Sequence, residues 1–239
     1  MVDTADNEKS EAAPAGVRAR TALTAAVLVA LVGCGADGEA APPVASSEAN
    51  PDDVAEGGDG SGRRVEVGPD DALVWGEGSY GVVLVHGAAF DAASWELQAV
   101  QFAGEGIAVL AVEDTSTESL IAAVDYLKAE LGAQEVALLG ASAGGAAVIE
   151  AAVDNPDSYD HLVLLSPAGG EAAALSDGPK FFIYSQDEGA AGSIEDLIAD
   201  APGDDNEVLE VAGSAHAQAI FETSAGAEVM EAILRRLSS

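Results

Sequence analysis

From residue 63 onward, short apolar runs alternate with segments of helical spacing, and this alternation restricts the fold more than any other feature. Residues 81–85 and 107–112 are apolar without interruption, which is typical of strands buried on both faces of a sheet. Between such runs, residues 119–131 carry apolar side chains at helical spacing. The order predicts an α/β fold: a doubly wound, mostly parallel sheet with helices on both faces.

The remaining segments extend this βαβ series. Further strands are predicted at residues 63–67, 72–75, 135–139, 162–165, 180–184 and 207–211. Further helices are predicted at residues 92–105, 144–153, 194–199 and 217–237, the last interrupted near Gly226. The connection between residues 165 and 180 is short, so we expect no inserted cap domain.

One motif in this series can carry nucleophilic chemistry. Gly140-Ala141-Ser142-Ala143-Gly144 follows a predicted strand and opens a helix rich in Ala and Gly. The Gly-x-Ser-x-Gly pattern alone is weak evidence, and a serine here would also suit a helix N-cap. In a strand–turn–helix setting, however, it is typical of a nucleophile elbow, whose small residues let strand and helix pack closely. Ser142 is therefore the candidate nucleophile.

A serine hydroxyl needs a proton acceptor near neutral pH, and the chain has 3 histidines. His216 lies in a loop of small residues after the last predicted strand. His161 precedes the strand at residues 162–165, at the edge opposite the strand ends that build such sites, so we expect a surface residue. His86 ends a buried strand, where we expect it to shape the following loop. His216 is the candidate base.

Three segments occur in an order known from one family. Leu84-Val85-His86-Gly87, the run from Leu139 to Gly145, and Gly213-Ser214-Ala215-His216 resemble the corresponding segments of α/β-hydrolases, and the resemblance extends from about residue 82 to 237. It implies a serine hydrolase whose acid follows the strand at residues 180–184. Asp187 is the first choice for this acid and Glu188 the alternative. The chain order Ser142, Asp187, His216 is the order of nucleophile, acid and histidine in that family.

The resemblance also implies an oxyanion hole built from backbone amides. Carried over, the two donors are the amides of Ala88 and Ala143, with Ala89 as an alternative to Ala88. Glu113, Asp114, Trp75 and Trp95 are interpreted as loop acids and packing aromatics. Asp204 and Asp205 lack the pattern of a calcium loop, and no His/Cys cluster indicates zinc, so we expect no metal and no cofactor.

These residues together predict cleavage of a carboxylic ester, or a related acyl bond, through an acyl-enzyme intermediate. A site without a cap suits accessible small-molecule or polymeric esters. Thioesterase and peptidase activities stay open. The alternative from another class is a hydrolase-like surface protein that binds a ligand without turnover.

The amino-terminal segment predicts export and lipidation. Residues 21–32 form an apolar core preceded by Arg18 and Arg20, and the core ends in Leu31-Val32-Gly33-Cys34. This tetrapeptide resembles the lipobox of bacterial lipoproteins. We therefore expect a signal peptide over residues 1–33, a lipid anchor on Cys34 at the outer face of the cell membrane, and a disordered acidic linker over residues 34–62 before the hydrolase domain at 63–239. The acidic stretch before Arg18 is long for such a signal, and a start at Val17 would leave an ordinary one.

Charge restricts the partners. The chain has 9 Lys and Arg against 42 Asp and Glu, a formal charge of -33. Nucleic acid and anionic lipid surfaces would be repelled, so we expect neither as a direct partner. A surface this acidic and this poor in lysine resembles that of proteins from salt-adapted organisms, where salt screens the repulsion. We expect a monomer.

Overall fold

The computed structural model of the protein describes residues 60–238. The predicted signal peptide, the lipidation site Cys34 and nearly all of the predicted linker lie outside these residues. Within the described part of the chain, no helix is both long and apolar enough to cross a membrane.

This part of the chain contains eight strands and five α-helices, and from β3 onward nearly every strand is followed by an α-helix. The strands are β1 Arg63–Val67, β2 Asp70–Trp75, β3 Tyr80–Val85, β4 Ile107–Val112, β5 Glu135–Ala141, β6 His161–Leu165, β7 Lys180–Ser185 and β8 Asn206–Val211. The helices are α1 Glu96–Gly104, α2 Thr117–Glu130, α3 Ala143–Asp154, α4 Ala191–Asp200 and α5 Gly226–Leu237. Short 3-10 helices cover Ala92–Trp95, Ala172–Ala174 and Ala217–Glu222. Every predicted strand and helix is present, with bounds shifted by a few residues.

The strands form one sheet in the order β1-β2-β4-β3-β5-β6-β7-β8. β1 and β2 pair antiparallel, and β2 is antiparallel to β4. All pairs from β4 to β8 are parallel. The predicted doubly wound, mostly parallel sheet is confirmed.

Both faces of the sheet are covered, which explains the uninterrupted apolar strands. Alternate residues of β3 point to opposite faces, so Val83 and Val85 belong to one core cluster and Val82 and Leu84 to the other. Helices α2 and α3 pack on the first face, and α1 and α5 on the second. Because each strand residue faces a helix on one side or the other, no polar stripe remains along the central strands.

The strand order changes direction at β3, in the middle of the sheet. The chain moves from β3 outward to β4, and then returns to the other side of β3 to form β5. Loops leaving the carboxyl ends of β3 and β5 therefore diverge to opposite faces and leave a crevice between them. His86-Gly87 follows β3 and Ser142 follows β5, so both candidate segments lie at this crevice.

Close backbone contact at this edge explains the glycines around Ser142. A Cβ atom on Gly144 would overlap the carbonyl oxygens of Val85 and His86, and one on Gly140 would overlap the carbonyl of Gly144. Gly145 is similarly close to Pro167, since a Cβ atom there would lie 2.9 Å from the Pro167 Cα. Strand β5, helix α3 and the loop after β3 pack at distances that only glycine permits.

We predict that Gly144→Ala destabilises the protein by at least about 2 kcal/mol, because the added methyl group has only backbone atoms to displace. Gly192→Ala is the matched control. Gly192 also lies in the first turn of a helix, α4, and a Cβ atom there would meet nothing within 4 Å. The control should leave the free energy of unfolding unchanged or raise it by up to about 1 kcal/mol. Denaturant unfolding of both variants is the measurement, and equal stabilities would contradict the packing argument.

Candidate active site

Ser142 lies between β5 and α3 in a backbone conformation that residues other than glycine rarely adopt, with φ 52° and ψ -116°. Backbone hydrogen bonds to the end of β6 and the loop after it hold it there. The Ser142 amide donates to the Leu165 carbonyl at 3.0 Å, and the Ser142 carbonyl accepts from the Ala168 amide at 3.0 Å. A non-glycine residue at positive φ stores strain, and such residues cluster at functional sites. The strand–turn–helix setting expected for Ser142 is present.

His216 joins Ser142 to a carboxylate. Its Nε2 lies 2.9 Å from the Ser142 Oγ, and its Nδ1 lies 3.0 Å from Glu188 Oε2. An ionised carboxylate only accepts hydrogen bonds, so Nδ1 carries the proton and donates it to Glu188. Nε2 is then the acceptor and faces the serine hydroxyl. This is the tautomer in which an imidazole can remove the serine proton.

The structure corrects the position of the carboxylate by one residue. The Asp187 amide donates to the Gly213 carbonyl at 2.8 Å, which extends the contact between the ends of β7 and β8, and the Asp187 side chain is exposed. The backbone then turns, with the Glu188 amide donating to the Ser185 carbonyl at 3.2 Å. This turn directs Glu188 inward to His216. Asp187, the first choice from the sequence, makes no such contact, and the alternative, Glu188, does.

Glu188 and His216 differ sharply in how far their side chains are buried. The Glu188 side chain is 1% exposed, whereas that of His216 is 44% exposed. Glu188 Oε2 also accepts a hydrogen bond from the Ser166 hydroxyl at 3.0 Å. Among the described residues, Oε1 of Glu188 is buried without a hydrogen-bond partner. The carboxylate is thus fixed through one oxygen, which bonds both Ser166 and His216.

The loop after β3 lies beside Ser142. A methyl group placed on Gly87 would lie 3.4 Å from the Ser142 Cβ. The loop turns tightly, with the Phe90 amide donating to the Gly87 carbonyl at 3.0 Å. Within residues 60–238, the amides of Ala88 and Ala143 donate to no protein acceptor. They are therefore available as hydrogen-bond donors at the crevice.

Gln218 ties this loop to the segment that follows His216. Its Oε1 accepts from the Gly87 amide at 3.1 Å, and its Nε2 donates to the Ser94 Oγ at 2.9 Å. Gln218 is 8% exposed. Two loops that are distant in sequence are therefore held together by one buried side-chain amide, whose oxygen and nitrogen are both used.

The other two histidines occupy structural positions. The ring nitrogens of His86 lie 2.9 Å from the Gly87 carbonyl oxygen and 3.1 Å from that of Glu113, so the ring joins the loops after β3 and β4. His161 lies at the opposite edge of the sheet, where its Nδ1 is 2.7 Å from the Tyr80 hydroxyl. Burial, followed by the nearby Arg236, lowers the pKa of His161.

The other residues considered in the sequence analysis have the structural roles expected of them, and Glu113 makes one further contact. Trp75 and Trp95 are buried and pack in the core. Asp114 is exposed, and hydrogen bonds from Ser116 lower its pKa. Glu113 is half-buried and accepts weakly from the Ala92 amide at 3.4 Å, so it also joins two loops.

Comparison with solved structures finds many similar chains at low sequence identity. A monoacylglycerol lipase from Paleococcus ferrophilus has a TM-score of 0.57 at 20% identity, over 70% of this chain and 97% of its own. An α/β-hydrolase enzyme from a metagenome of lagoon sediments of Mar Chica, Morocco, has a TM-score of 0.60 at 18% identity, over 74% of this chain and 99% of its own. The protein has the α/β-hydrolase fold.

A third relative with the same fold is an esterase from Pyrobaculum calidifontis, with a TM-score of 0.60 at 17% identity, over 73% of this chain and 83% of its own. No family model and no curated protein matches the chain. At these identities the likeness concerns the fold. The roles of individual side chains have to be argued from their own geometry.

Two buried residues of the site were not found from the sequence. Ser166 and Gln218 belong to no motif and lie in segments without periodicity. A weak signal existed for Ser166, since a serine directly after the apolar strand β6 places a hydroxyl at the same sheet edge as Ser142. Nothing comparable marked Gln218, because its partner Gly87 lies 131 residues away.

We predict that Glu188→Gln slows covalent labelling of Ser142 by a fluorophosphonate by at least roughly 100-fold, because the imidazole loses the carboxylate that fixes its tautomer. Asp187→Asn is the matched control, which removes an exposed charge on the neighbouring residue and should change the rate by less than about threefold. Labelling rates measured by intact-protein mass spectrometry compare the two. A larger loss in Asp187→Asn than in Glu188→Gln would refute the assignment of the acid.

Proposed function

We propose that this protein is a serine hydrolase that cleaves carboxylic esters through an acyl-enzyme intermediate. One observation carries the proposal: the hydroxyl of Ser142, the imidazole of His216 and the buried carboxylate of Glu188 form a continuous hydrogen-bonded chain, with contacts of 2.9 and 3.0 Å. The lipase and esterase activities of proteins with the same fold support it. Thioester and peptide substrates share the same acyl chemistry and are compared in the tests.

The geometry gives each group a role. His216 Nε2 takes the proton of the Ser142 hydroxyl as Oγ attacks the carbonyl carbon of the ester. The amides of Ala88 and Ala143 donate to the oxyanion, each contributing about 3 kcal/mol to lowering the barrier. His216 returns the proton to the departing alcohol, and Glu188 stabilises the imidazolium between these steps. Water then attacks the acyl-enzyme by the same route, which releases the acid and restores Ser142.

An open site favours accessible esters over small, fully enclosed substrates. The connection from β6 to β7 spans residues 166–179 and contains only the short helix Ala172–Ala174. It forms no cap domain, and the imidazole of His216 remains 44% exposed. The ester bond of a small molecule or of a polymer can therefore approach Ser142 without a lid movement.

A cavity beside the loop after β3 can take an apolar group of the substrate. It has a volume of about 220 Å³, and the residues that line it include Phe90, Leu97, Gln218 and Phe221. A methyl group on Gly87 would lie 3.6 Å from the Phe90 ring and 3.4 Å from the Ser142 Cβ, so the ring is close to the nucleophile. Two larger cavities, of about 370 and 380 Å³, are lined by neither His216 nor the loop after β3.

We also propose the location from the sequence alone. The predicted signal peptide and the lipobox-like sequence ending at Cys34 support an exported, lipid-anchored hydrolase, with the predicted acidic linker holding the catalytic domain away from the outer face of the membrane. The formal charge of -33 supports work at high salt, where self-repulsion is screened. The intact mass of the mature protein tests for the lipid anchor. A protein that retains Met1 and carries no lipid would contradict the proposed anchor.

We predict that Ser142→Ala lowers hydrolysis of p-nitrophenyl acetate and butyrate by at least roughly 10³-fold, since the attacking oxygen is lost. Ser193→Ala, at an exposed position of α4, is the control and should retain wild-type rates. The panel includes a thioester and a peptide to separate the acyl chemistries. Wild-type protein with no turnover would reject the enzymatic proposal in favour of a binding protein, and equal rates for wild type and Ser142→Ala would reject the nucleophile.

We predict that Phe90→Ala reduces the preference for hexanoate over acetate esters by roughly 3- to 10-fold in kcat/KM, because each methylene group that loses apolar contact costs about 0.8 kcal/mol. Val208→Ala is the matched control: Val208 is 44% exposed and Phe90 50%, but Val208 lies on β8, away from this cavity. The ratio of kcat/KM values for the two esters is the measurement. An unchanged ratio in Phe90→Ala would exclude the cavity as the site of the apolar group.

A further inference from the structure

One buried hydroxyl contacts both halves of the Glu188–His216 arrangement. The Ser166 Oγ lies 3.0 Å from Glu188 Oε2 and 3.1 Å from the amide nitrogen of Ala217, the residue after His216. The carboxylate can only accept and the amide can only donate. The Ser166 hydroxyl therefore donates a hydrogen bond to Glu188 and accepts one from the Ala217 amide. Ser166 is fully buried, so water does not compete for either bond.

The bond to Glu188 decides which carboxylate oxygen faces His216. Oε2 accepts from both Ser166 and His216, whereas Oε1 is buried and has no partner among the described residues. Without the hydroxyl, the imidazole would be the only donor to this carboxylate. The side chain could then rotate about its last torsion, which is a broad one, and the hydrogen bond to His216 would lose its fixed direction.

The bond to Ala217 acts on the other partner. Ala217 has φ 53°, and its amide donates to Ser166 immediately after the residue that carries the imidazole. The Ser185 hydroxyl holds the residue before His216 through the Ala215 carbonyl at 2.6 Å. The backbone of His216 is thus held on both sides, and on one side by the same hydroxyl that holds its carboxylate partner.

Backbone strain is concentrated on the same group of residues. Among residues 60–238, three that are not glycine have positive φ: Ser142 at 52°, Ser166 at 45° and Ala217 at 53°. All three belong to this hydrogen-bonded arrangement. Strained residues persist only where the surroundings over-determine them, and their concentration here indicates that the position of the Ser166 hydroxyl matters to the site.

We propose that Ser166 is a positioning residue for the reaction: its hydroxyl sets the distance and direction between Glu188 and His216 and so keeps His216 Nε2 directed at Ser142. The proposal rests on the proposed ester hydrolysis. It assigns to Ser166 no contact with the substrate and no proton transfer in the reaction, and its effect passes through Glu188 and the backbone of His216.

Comparing Ser166→Gly with Ser166→Ala separates the effect of losing the hydroxyl from the effect of backbone strain at this residue. Both remove the two hydrogen bonds, but glycine adopts φ 45° without strain, whereas alanine does not. We expect both variants to lose roughly 10- to 100-fold in kcat, with KM changed less than about threefold. Thermal unfolding is measured in parallel, so that a poorly folded Ser166→Ala leaves the glycine variant as the test.

Ser119→Ala is the matched control. The Ser119 hydroxyl is also buried and also donates to a carboxylate, Asp70 Oδ2 at 2.9 Å, but it contacts none of the site residues. Its loss should affect stability and leave kcat within about twofold. A second readout is coupling: in a Glu188→Gln background, adding Ser166→Gly should reduce kcat by a smaller factor than in the wild type, because the path through Glu188 is already broken and only the hydrogen bond to Ala217 remains to be lost.

Wild-type kcat in a folded Ser166→Gly, or a loss that adds fully to that of Glu188→Gln, would overturn the proposal. Failure of the proposed function has a different signature, namely no Ser142-dependent turnover in the wild type. In that case the rate of fluorophosphonate labelling of Ser142 replaces kcat as the readout. A slower rate in Ser166→Gly than in wild type supports the positioning role, and equal rates reject it.

Discussion

The closeness of three backbone segments at one edge of the sheet is the constraint on which the site depends. The end of β3, the end of β5 and the first turn of α3 approach until Gly144 has no room for a Cβ atom beside the carbonyls of Val85 and His86. This approach brings the loop after β3 next to Ser142 and leaves the amides of Ala88 and Ala143 without protein acceptors in the described chain. The fold thus presents two backbone amides with unused hydrogen atoms at the crevice, at no cost in side-chain ordering, as the proposed oxyanion hole requires.

The rest of the site is arranged around one buried carboxylate. Removing a charge from water is costly unless it is hydrogen-bonded, and Glu188 recovers part of that cost through Ser166 and His216 at a single oxygen. The exposed imidazole then has one buried partner and one partner at the crevice. This asymmetry leaves Nε2 of His216 accessible at the crevice while Nδ1 is held in a dry environment, where a charged hydrogen bond is stronger.

The sequence predicted the sheet, its helices and two of the three hydrogen-bonded residues because those depend on local signals. Buried parallel strands are continuous apolar runs, and Ser142 directly follows one of them, β5, whereas His216 was found from the loop of small residues after β8, the last predicted strand. The carboxylate that contacts His216 is Glu188, the alternative, rather than Asp187, the first choice. The sequence did not separate the two because the turn from Gln186 to Glu188 has no periodicity and, in a chain with 42 acidic residues, proximity in sequence discriminates poorly. Ser166 and Gln218 act across separations of 22 and 131 residues, which only the folded chain brings together.

For the proposed ester hydrolysis, charge and shape together narrow the range of substrates. A formal charge of -33 creates a field that repels anions at low salt, so esters that carry phosphate, sulfate or free carboxylate groups would reach Ser142 slowly. Salt weakens this exclusion, since the Debye length falls from about 10 Å at 0.1 M to about 3 Å at 1 M. The cavity that Phe90, Leu97 and Phe221 line in part offers apolar contacts, which salt does not screen. Neutral esters with an apolar group therefore satisfy both constraints at any ionic strength, and anionic esters satisfy them only where salt is high.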